Sequence, residues 1–179
     1  YYETRPRDDA VPRKIHRLWG WSFYRCPLRH LGGNQLVRSD GQGFTTDVIL
    51  TAIPEWSPSE IAVRFQIQQG IHTLHIFPAF PHSIDRPGHI DMWMSILSDD
   101  CVMIGRYDCP SAMYEASVIT ENAAAYMTGL GFRVFRTPGW NDGQDGYDGT
   151  HFSYTNCILV NGKVMVPQYG DPYGKEDAE

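Results

Sequence analysis

The chain has 179 residues, the size of one domain, and 42% of them are hydrophobic, 13% aromatic and 20% charged. These values are those of an ordinary globular protein. The formal net charge of −6, with no basic stripe, argues against binding to nucleic acid. No apolar run approaches the ~20 residues that a membrane helix requires, so we expect no association with a membrane.

The four cysteines show no Cys-x-x-Cys spacing and lie in apolar or turn contexts, which favours buried thiols over a disulfide framework or a zinc site. They are Cys26, Cys101, Cys109 and Cys157. The acidic, glycine-rich segment 141–149 departs from the calcium-loop pattern and is interpreted as a loop at the rim of a site. We therefore expect neither a metal nor a cofactor. The compartment stays open between cytoplasmic and secreted.

In chain order, residues 1–12 are polar and charged and predict a loop. Trp19, Trp21 and Phe23 then alternate as one face of a strand does. Two short β-type runs follow, at residues 35–38 and 44–51, separated by a glycine-containing turn that is typical of a hairpin.

A helix is predicted after this hairpin. Ser57 is a good N-cap, Pro58 suits the first helical position and Glu60 completes a capping box. The pattern places Ile61, Phe65 and Ile67 on the buried face. The helix should end near residue 70, and a strand is predicted over residues 72–77.

The same order then recurs. A second hairpin is predicted at residues 90–107, a helix at 111–130 and a strand at 132–136. A third hairpin is centred on Asn161-Gly162, the strongest short-range signal for a β-hairpin. The repeat predicts structural units at about 34–78, 89–137 and 153–179, a spacing compatible with a radial array.

The candidate functional residues lie in the segment Gly88-His89-Ile90-Asp91-Met92-Trp93. If the segment enters a strand, His89 and Asp91 project on the same side. An imidazole exchanges protons near neutral pH, and a carboxylate both holds a cation and tunes the imidazole. The pair therefore suits a positively charged ligand, although a bare His-x-Asp is also compatible with a structural hydrogen bond at a strand end.

Four motifs in the same order resemble the Porphyromonas-type peptidylarginine deiminase and agmatine deiminase family. They are the opening Tyr-Tyr-Glu-Thr-Arg-Pro-Arg-Asp-Asp, the Gly-Gly-Asn at 32–34, the His89–Asp91 segment, and residues 154–167. The resemblance implies an α+β fold of the α/β-propeller type, the pentein fold, with five ββαβ units around a pseudo-fivefold axis. About three of the five units would lie in this chain.

The resemblance also implies a guanidine hydrolase with an arginine-containing peptide or a small guanidino molecule as its substrate. In this family a Cys thiolate attacks the guanidinium carbon, a His acts as acid and base, and two Asp carboxylates hold the guanidinium. A planar guanidinium matches carboxylates in bidentate geometry, and a thiolate supplies the covalent step. The motif match assigns His89 as the acid/base and Asp91 as one of the two carboxylates.

The family's first Asp and its nucleophilic Cys are expected to lie outside this chain, so the isolated chain should be inactive. Cys157 lies in a predicted strand and is interpreted as a structural thiol. His151 and Asn156 flank the third hairpin and are also assigned structural roles.

The substrate is the least determined feature. Leu31 stands where agmatine deiminases typically carry Glu, and Asn34 resembles the peptidylarginine branch, which favours arginine residues of peptides, converted to citrulline with release of ammonia. Arg5 and Arg7 are candidates for binding a substrate carboxylate, and Trp93 is a candidate wall of the guanidinium pocket through cation–π contact. Agmatine, giving N-carbamoylputrescine, and a non-catalytic pentein that only binds guanidino ligands are the alternatives.

Overall fold

A computed structural model describes residues 7–107, 113–143 and 149–170, together with residues 172 and 177. The described strands form sheets of three, four and two strands, in the orders β1-β2-β3, β4-β5-β6-β7 and β8-β9. The strands are β1 Leu36–Val37, β2 Gln42–Thr46, β3 Thr73–Phe77, β4 Met94–Ser98, β5 Cys101–Arg106, β6 Arg133–Asn141, β7 His151–Ser153, β8 Ile158–Val160 and β9 Lys163–Met165. The helices are α1 Val11–Trp19, α2 Val48–Ala52, α3 Pro58–Gln69 and α4 Tyr114–Gly129, with 3-10 turns at Asp8–Ala10, Gly32–Asn34 and Ile90–Met92.

The first two sheets share one plan, as the recurring sequence pattern predicts. Each begins with an antiparallel hairpin, continues through a helix, and returns in a strand parallel to the second strand of the hairpin. The four-stranded sheet adds β7, which pairs antiparallel with β6. Two consecutive stretches of the chain therefore fold into the same arrangement.

Helix α3 begins and ends where the sequence predicts. The Ser57 side chain accepts a hydrogen bond from the Glu60 N–H, and the Glu60 carboxylate accepts one from the Ser57 N–H, which forms the complete capping box. Gly70 ends the helix in the left-handed conformation at φ 71°, which glycine adopts at little cost. A cap of this kind stabilises a helix by about 1 kcal/mol.

One residue of α3 was placed wrongly. Ile61 and Phe65 are buried, but Ile67 is 66% exposed. At 100° per residue, a position two residues after Phe65 lies about 200° around the helix and therefore faces away from the core.

The two sheets share one hydrophobic core. Its largest cluster contains Phe44 and Phe77 from the first sheet, Val102 and Ile104 from the second, and Met127 from α4. The loops at the junction of the two sheets are therefore fixed by packing from both sides.

The segment before the first sheet differs from its prediction. Helix α1, Val11–Trp19, occupies the end of the predicted loop and the start of the predicted strand, and Gly20 caps it at φ 67°. Residues 1–6 of the predicted loop lie outside the described residues. Trp19 and Trp21 are 60% and 61% exposed. The alternation of aromatic residues was misleading because Pro12, in the first turn, and the left-handed Gly20 mark a helix.

The strand predicted over residues 44–51 ends early. It stops at Thr46, and the β-branched run that follows forms the short helix α2, whose Ile49 is buried together with Ile53. Burial of these side chains overrides the β-propensity of the run.

The third hairpin forms as β8 and β9 around Asn161 and Gly162, both with positive φ, at 51° and 71°. Its strands are three residues long, shorter than the predicted strands at residues 154–160 and 163–167, and their side chains are exposed. Within the described ranges, no helix has the length and apolar character needed to cross a bilayer.

Candidate functional site

The segment with His89 and Asp91 is not a strand, which corrects the expectation from sequence. His89 is extended and precedes the 3-10 turn Ile90–Met92, which contains Asp91. The two side chains nevertheless converge on Gly33: a methyl group added there would collide with Asp91 Oδ2 and would lie 2.8 Å from His89 Nδ1. Glycine at position 33 therefore lets both functional groups approach the backbone from the same side.

Asn34 holds this segment in place. Its side chain is buried, and its Oδ1 accepts hydrogen bonds from the N–H groups of Thr46 and Ile90, each 3.1 Å long. The Thr46 hydroxyl donates to the carbonyl of Gly88 at 2.7 Å. The loop that positions His89 and Asp91 is thus tied to the end of β2 in the first sheet.

A second anchor comes from the far side of the chain. The hydroxyl of Thr155 donates to the carbonyl of Asp91 at 2.9 Å. Thr155 is buried, and its N–H donates to the hydroxyl oxygen of Ser153 at the end of β7. The 3-10 turn is consequently held from both sheets.

A third titratable residue, Asp85, belongs to the same group. It is 4% exposed, and its charge acts on both His89 and Asp91. Burial, and then the negative charge of Asp85, raise the pKa of Asp91 to about 6. Burial lowers the pKa of His89, an effect that Asp85 opposes only in part. At neutral pH His89 is therefore mainly uncharged and able to accept a proton.

Three polar atoms of these residues are buried without a hydrogen-bond partner among the described residues. They are Asp85 Oδ2, His89 Nε2 and Asp91 Oδ1. Buried unpaired polar groups are costly, and a catalytic role or a bound ligand, ion or water is among the reasons that proteins retain them. Two carboxylate oxygens and an imidazole nitrogen together fit a cation that donates several hydrogen bonds.

A cavity of about 310 Å³ adjoins this group and is lined by residues that include Asp85, Arg86, Met92 and His151. A larger and mostly apolar cavity of about 370 Å³, beside β3 and α4, is lined by none of Asp85, His89 and Asp91, whereas Asp85 lines the smaller one. The smaller cavity is therefore the better candidate for the functional site.

Two of the other predicted substrate-binding residues, Arg7 and Trp93, do not line the smaller cavity. Trp93 is completely buried, with its ring stacked on Phe80 at 5.8 Å and edge-on to Phe77 at 5.8 Å. Because aromatic neighbours cover the indole, this placement does not support a role as an open wall for a guanidinium. Arg7 is exposed before α1, and Arg5 lies outside the described residues.

The cysteines differ from one another. Cys101 is buried, as expected, whereas Cys26 is exposed, against expectation. Cys157 is half-buried with its Sγ 3.6 Å from the Ser95 hydroxyl, and Cys109 lies outside the described residues. The structural role of Cys157 stays a prediction.

Comparison with solved structures defines the class of protein. Agmatine deiminase of Enterococcus faecalis superimposes with a TM-score of 0.78 at 23% identity, over 95% of this chain and 53% of that one. Agmatine deiminase of Campylobacter jejuni with substrate bound gives 0.77 at 16% identity, over 96% and 52%. The fold is therefore that of the agmatine deiminases, which are penteins.

The family follows from the sequence itself. All 179 residues match the model of the Porphyromonas-type peptidyl-arginine deiminase family, and the chain belongs to that family. The "Putative agmatine deiminase" of Mycoplasma capricolum is 22% identical over an alignment of 191 positions, which covers 93% of this chain and 52% of that protein. The resemblance inferred from the four motifs is confirmed. The chain spans about half the length of the curated relatives that it matches.

Sequence reasoning missed three residues of the site. Asp85 lies four positions before His89 in a segment without periodicity, so no pattern indicated its burial. Gly33 belongs to the Gly-Gly-Asn motif. Two successive glycines could have indicated a place where another group approaches the backbone closely. The position of His151 beside Asp85 depends on the pairing of β7 with β6, which sequence spacing does not reveal.

Proposed function

We propose that the full-length protein is a guanidine deiminase that hydrolyses a small guanidino substrate of the agmatine type and releases ammonia. The observation that carries this proposal is the meeting of His89 and Asp91 at Gly33, in a group with Asp85 in which each residue has one buried polar atom without a partner among the described residues. Asp85 also lines the smaller cavity. The relatives named agmatine deiminase support the choice of substrate.

Asp91 supplies the binding charge in this mechanism. Its ionised carboxylate accepts hydrogen bonds from the N–H groups of the guanidinium, which presents paired donors in one plane. Burial disfavours the ionised form of this carboxylate when no cation is near, and a bound guanidinium neutralises its negative charge. Substrate binding is therefore expected to lower the pKa of Asp91 and to release protons near pH 6.

His89 moves the proton. In the family's mechanism, a cysteine thiolate adds to the guanidinium carbon, and the C–N bond to one amino group breaks as that group takes a proton and leaves as ammonia. Water then adds to the thiouronium carbon, loses a proton to the same base, and the C–S bond breaks to return the thiolate. The unpaired Nε2 of the neutral His89 takes the proton of the cysteine thiol, gives it to the departing amino group, and then accepts the proton that the attacking water loses.

The structure weakens one argument for a peptide substrate. Asn34, which resembles the peptidylarginine branch, directs its Oδ1 to the backbone of Thr46 and Ile90. Its role here is to position the loop, and it gives no information about the substrate. We therefore favour agmatine, converted to N-carbamoylputrescine, over arginine residues of peptides.

We also infer that the two similar sheets and the third hairpin are units of a five-unit propeller. The shared order of hairpin, helix and parallel strand supports units at about 34–78 and 89–137. The hairpin β8–β9 supports a third unit that begins near residue 153.

The test is an assay of the full-length protein with agmatine, free arginine and an arginine-containing peptide. Ammonia, N-carbamoylputrescine and citrulline are measured separately, and we expect ammonia and N-carbamoylputrescine from agmatine. His89→Ala and Asp91→Ala should each lower kcat by about a thousandfold or more while the protein stays folded, because proton transfer or cation binding is lost.

His72→Ala is the matched control for the histidine, because His72 is exposed and lies before β3. Its turnover should equal that of the wild type. Unchanged turnover in either site variant would contradict the site assignment, and citrulline formed only from the peptide would contradict the choice of substrate.

A further inference from the structure

His151 and Asp85 form a buried pair at the edge of the candidate site. Their side chains are 4% and 3% exposed, and His151 Nδ1 lies 3.6 Å from Asp85 Oδ1. This is a close electrostatic contact, longer than a hydrogen bond, and both His151 Nδ1 and the other carboxylate oxygen, Oδ2, are buried without a hydrogen-bond partner among the described residues. One side of Asp85 thus faces an imidazole, and the other side remains available.

The second nitrogen of His151 is held by a tyrosine. The Tyr107 hydroxyl lies 2.8 Å from His151 Nε2. Burial, and secondarily the charge of Asp85, raise the pKa of Tyr107 far above its usual range, so its hydroxyl keeps its hydrogen. When this hydroxyl donates to Nε2, the hydrogen of the neutral imidazole must be on Nδ1, which faces Asp85.

The surrounding backbone is shaped to hold Tyr107. A Cβ at Gly139 would lie 2.5 Å from Tyr107 Cζ, and a Cβ at Gly105 would lie 2.9 Å from its Cε2. These two glycines belong to the neighbouring strands β5 and β6. The tyrosine ring therefore lies directly against two strands, which fixes the hydroxyl that orients His151.

We propose that His151 is a positioning residue, which directs its Nδ1–H to Asp85 Oδ1 and so holds the carboxylate with Oδ2 turned to the substrate cation. The proposal rests on the proposed function, because it assigns His151 a part in the same guanidino site. His151 acts through Asp85 and does not itself touch the reacting atoms.

The first test compares two substitutions in the full-length protein. His151→Phe removes the donor to Asp85, whereas His151→Asn keeps an N–H group near the position of Nδ1. We expect His151→Phe to lower kcat/KM for agmatine about tenfold, mainly through KM, and His151→Asn to stay within about threefold of the wild type.

His75→Phe is the matched control. His75 Nδ1 also lies 2.8 Å from a tyrosine hydroxyl, that of Tyr126, but its Nε2 faces the amide oxygen of Gln42 at 3.0 Å. Its kcat/KM should equal that of the wild type. An unchanged value for His151→Phe, or equal losses for the Phe and Asn variants of His151, would overturn the proposal.

The second test does not depend on catalytic turnover, and its main measurement is made on the wild-type protein. Nitrogen NMR of the wild-type histidine rings should show that His151 carries hydrogen on Nδ1; an imidazole with hydrogen on Nε2 alone would overturn the proposal. In His151→Phe the pKa of Asp91 should fall, because the Asp85 carboxylate turns away from Asp91, and an unchanged pKa would also overturn the proposal.

These readings separate two kinds of failure. If the wild type turns over none of the guanidino substrates, the proposed function fails, yet the hydrogen on Nδ1 and the response of Asp91 still decide whether His151 positions Asp85.

Discussion

Two groups of buried polar residues lie side by side at the junction of the sheets, and they differ in how completely they are paired. The side-chain oxygen of Asn34 accepts hydrogen bonds from two backbone N–H groups. In the neighbouring group, Asp85, His89 and Asp91 each have one buried polar atom without a partner among the described residues. The first group joins parts of the chain, and the second leaves polar atoms free to pair with a ligand, as the proposed function requires.

The difference separates stability from binding. A fully paired buried group stabilises the fold, and its loss leaves its partners without hydrogen bonds. A carboxylate that is buried without a partner instead destabilises the folded state until a ligand binds. Substitutions in the two groups should therefore have opposite effects on the free energy of unfolding.

Asn34→Ala should have the largest effect on stability. The N–H groups of Thr46 and Ile90 lose their acceptor while they remain buried, which should cost about 2–4 kcal/mol of the free energy of unfolding. Urea unfolding measures this loss. Asn156→Ala is the control, because that side chain is exposed, and it should change stability by less than about 0.5 kcal/mol. Equal losses of stability in Asn34→Ala and Asn156→Ala would show that the hydrogen bonds of Asn34 do not stabilise the fold as argued.

Gly33→Ala should come next, with its effect mainly on activity. The new methyl group collides with the carboxylate of Asp91 and crowds the ring of His89, so both side chains must turn away. We expect kcat/KM for agmatine to fall by about tenfold to a hundredfold in the full-length protein. The neighbouring Gly32 has no atom within 4 Å of an added Cβ. Gly32→Ala should therefore be close to wild type, and a similar loss in both variants would refute the close approach at Gly33.

Asp91→Asn should have the smallest effect, and it should depend on pH. The pKa of Asp91 is about 6 in the folded protein against 3.8 for the free group, so the folded state binds more protons between these values and stability falls as pH rises through them. Removing the charge should stabilise the protein above pH 6 by about 1 kcal/mol, once solvent screening is allowed for, and have no effect below pH 4. Thermal unfolding at the two pH values measures the difference, and a loss of stability at pH 7 would contradict it.

Sequence reasoning was most accurate where local rules decide the structure. The capping box of α3, the Asn161-Gly162 hairpin and the parallel return strands depend on residues close in sequence or on clear periodicity. It failed at α1 and α2. There, aromatic or β-branched runs suggested strands, but a left-handed Gly20 and the burial of Ile49 determined helices.

The sequence predicted two residues of the candidate site, but not the local structure that brings them together. His89 and Asp91 do lie together, but a 3-10 turn beside Gly33 unites them in place of the expected strand. Asp85 and His151 are 66 positions apart by their residue numbers, and only the packing of β7 against the loop brings them into contact. No local pattern encodes such a meeting, so sequence spacing alone could not have found it.

The two anchors of the 3-10 turn also bear on the order in which the molecule folds. Asn34 binds Ile90 across 56 positions and Thr155 binds Asp91 across 64 positions. Contacts of such separation close large loops and form late, after the local hairpins and helices. The candidate site should thus be among the last parts to assemble, and the exchange of the Ile90 amide hydrogen with solvent would report the moment at which the two sheets come together.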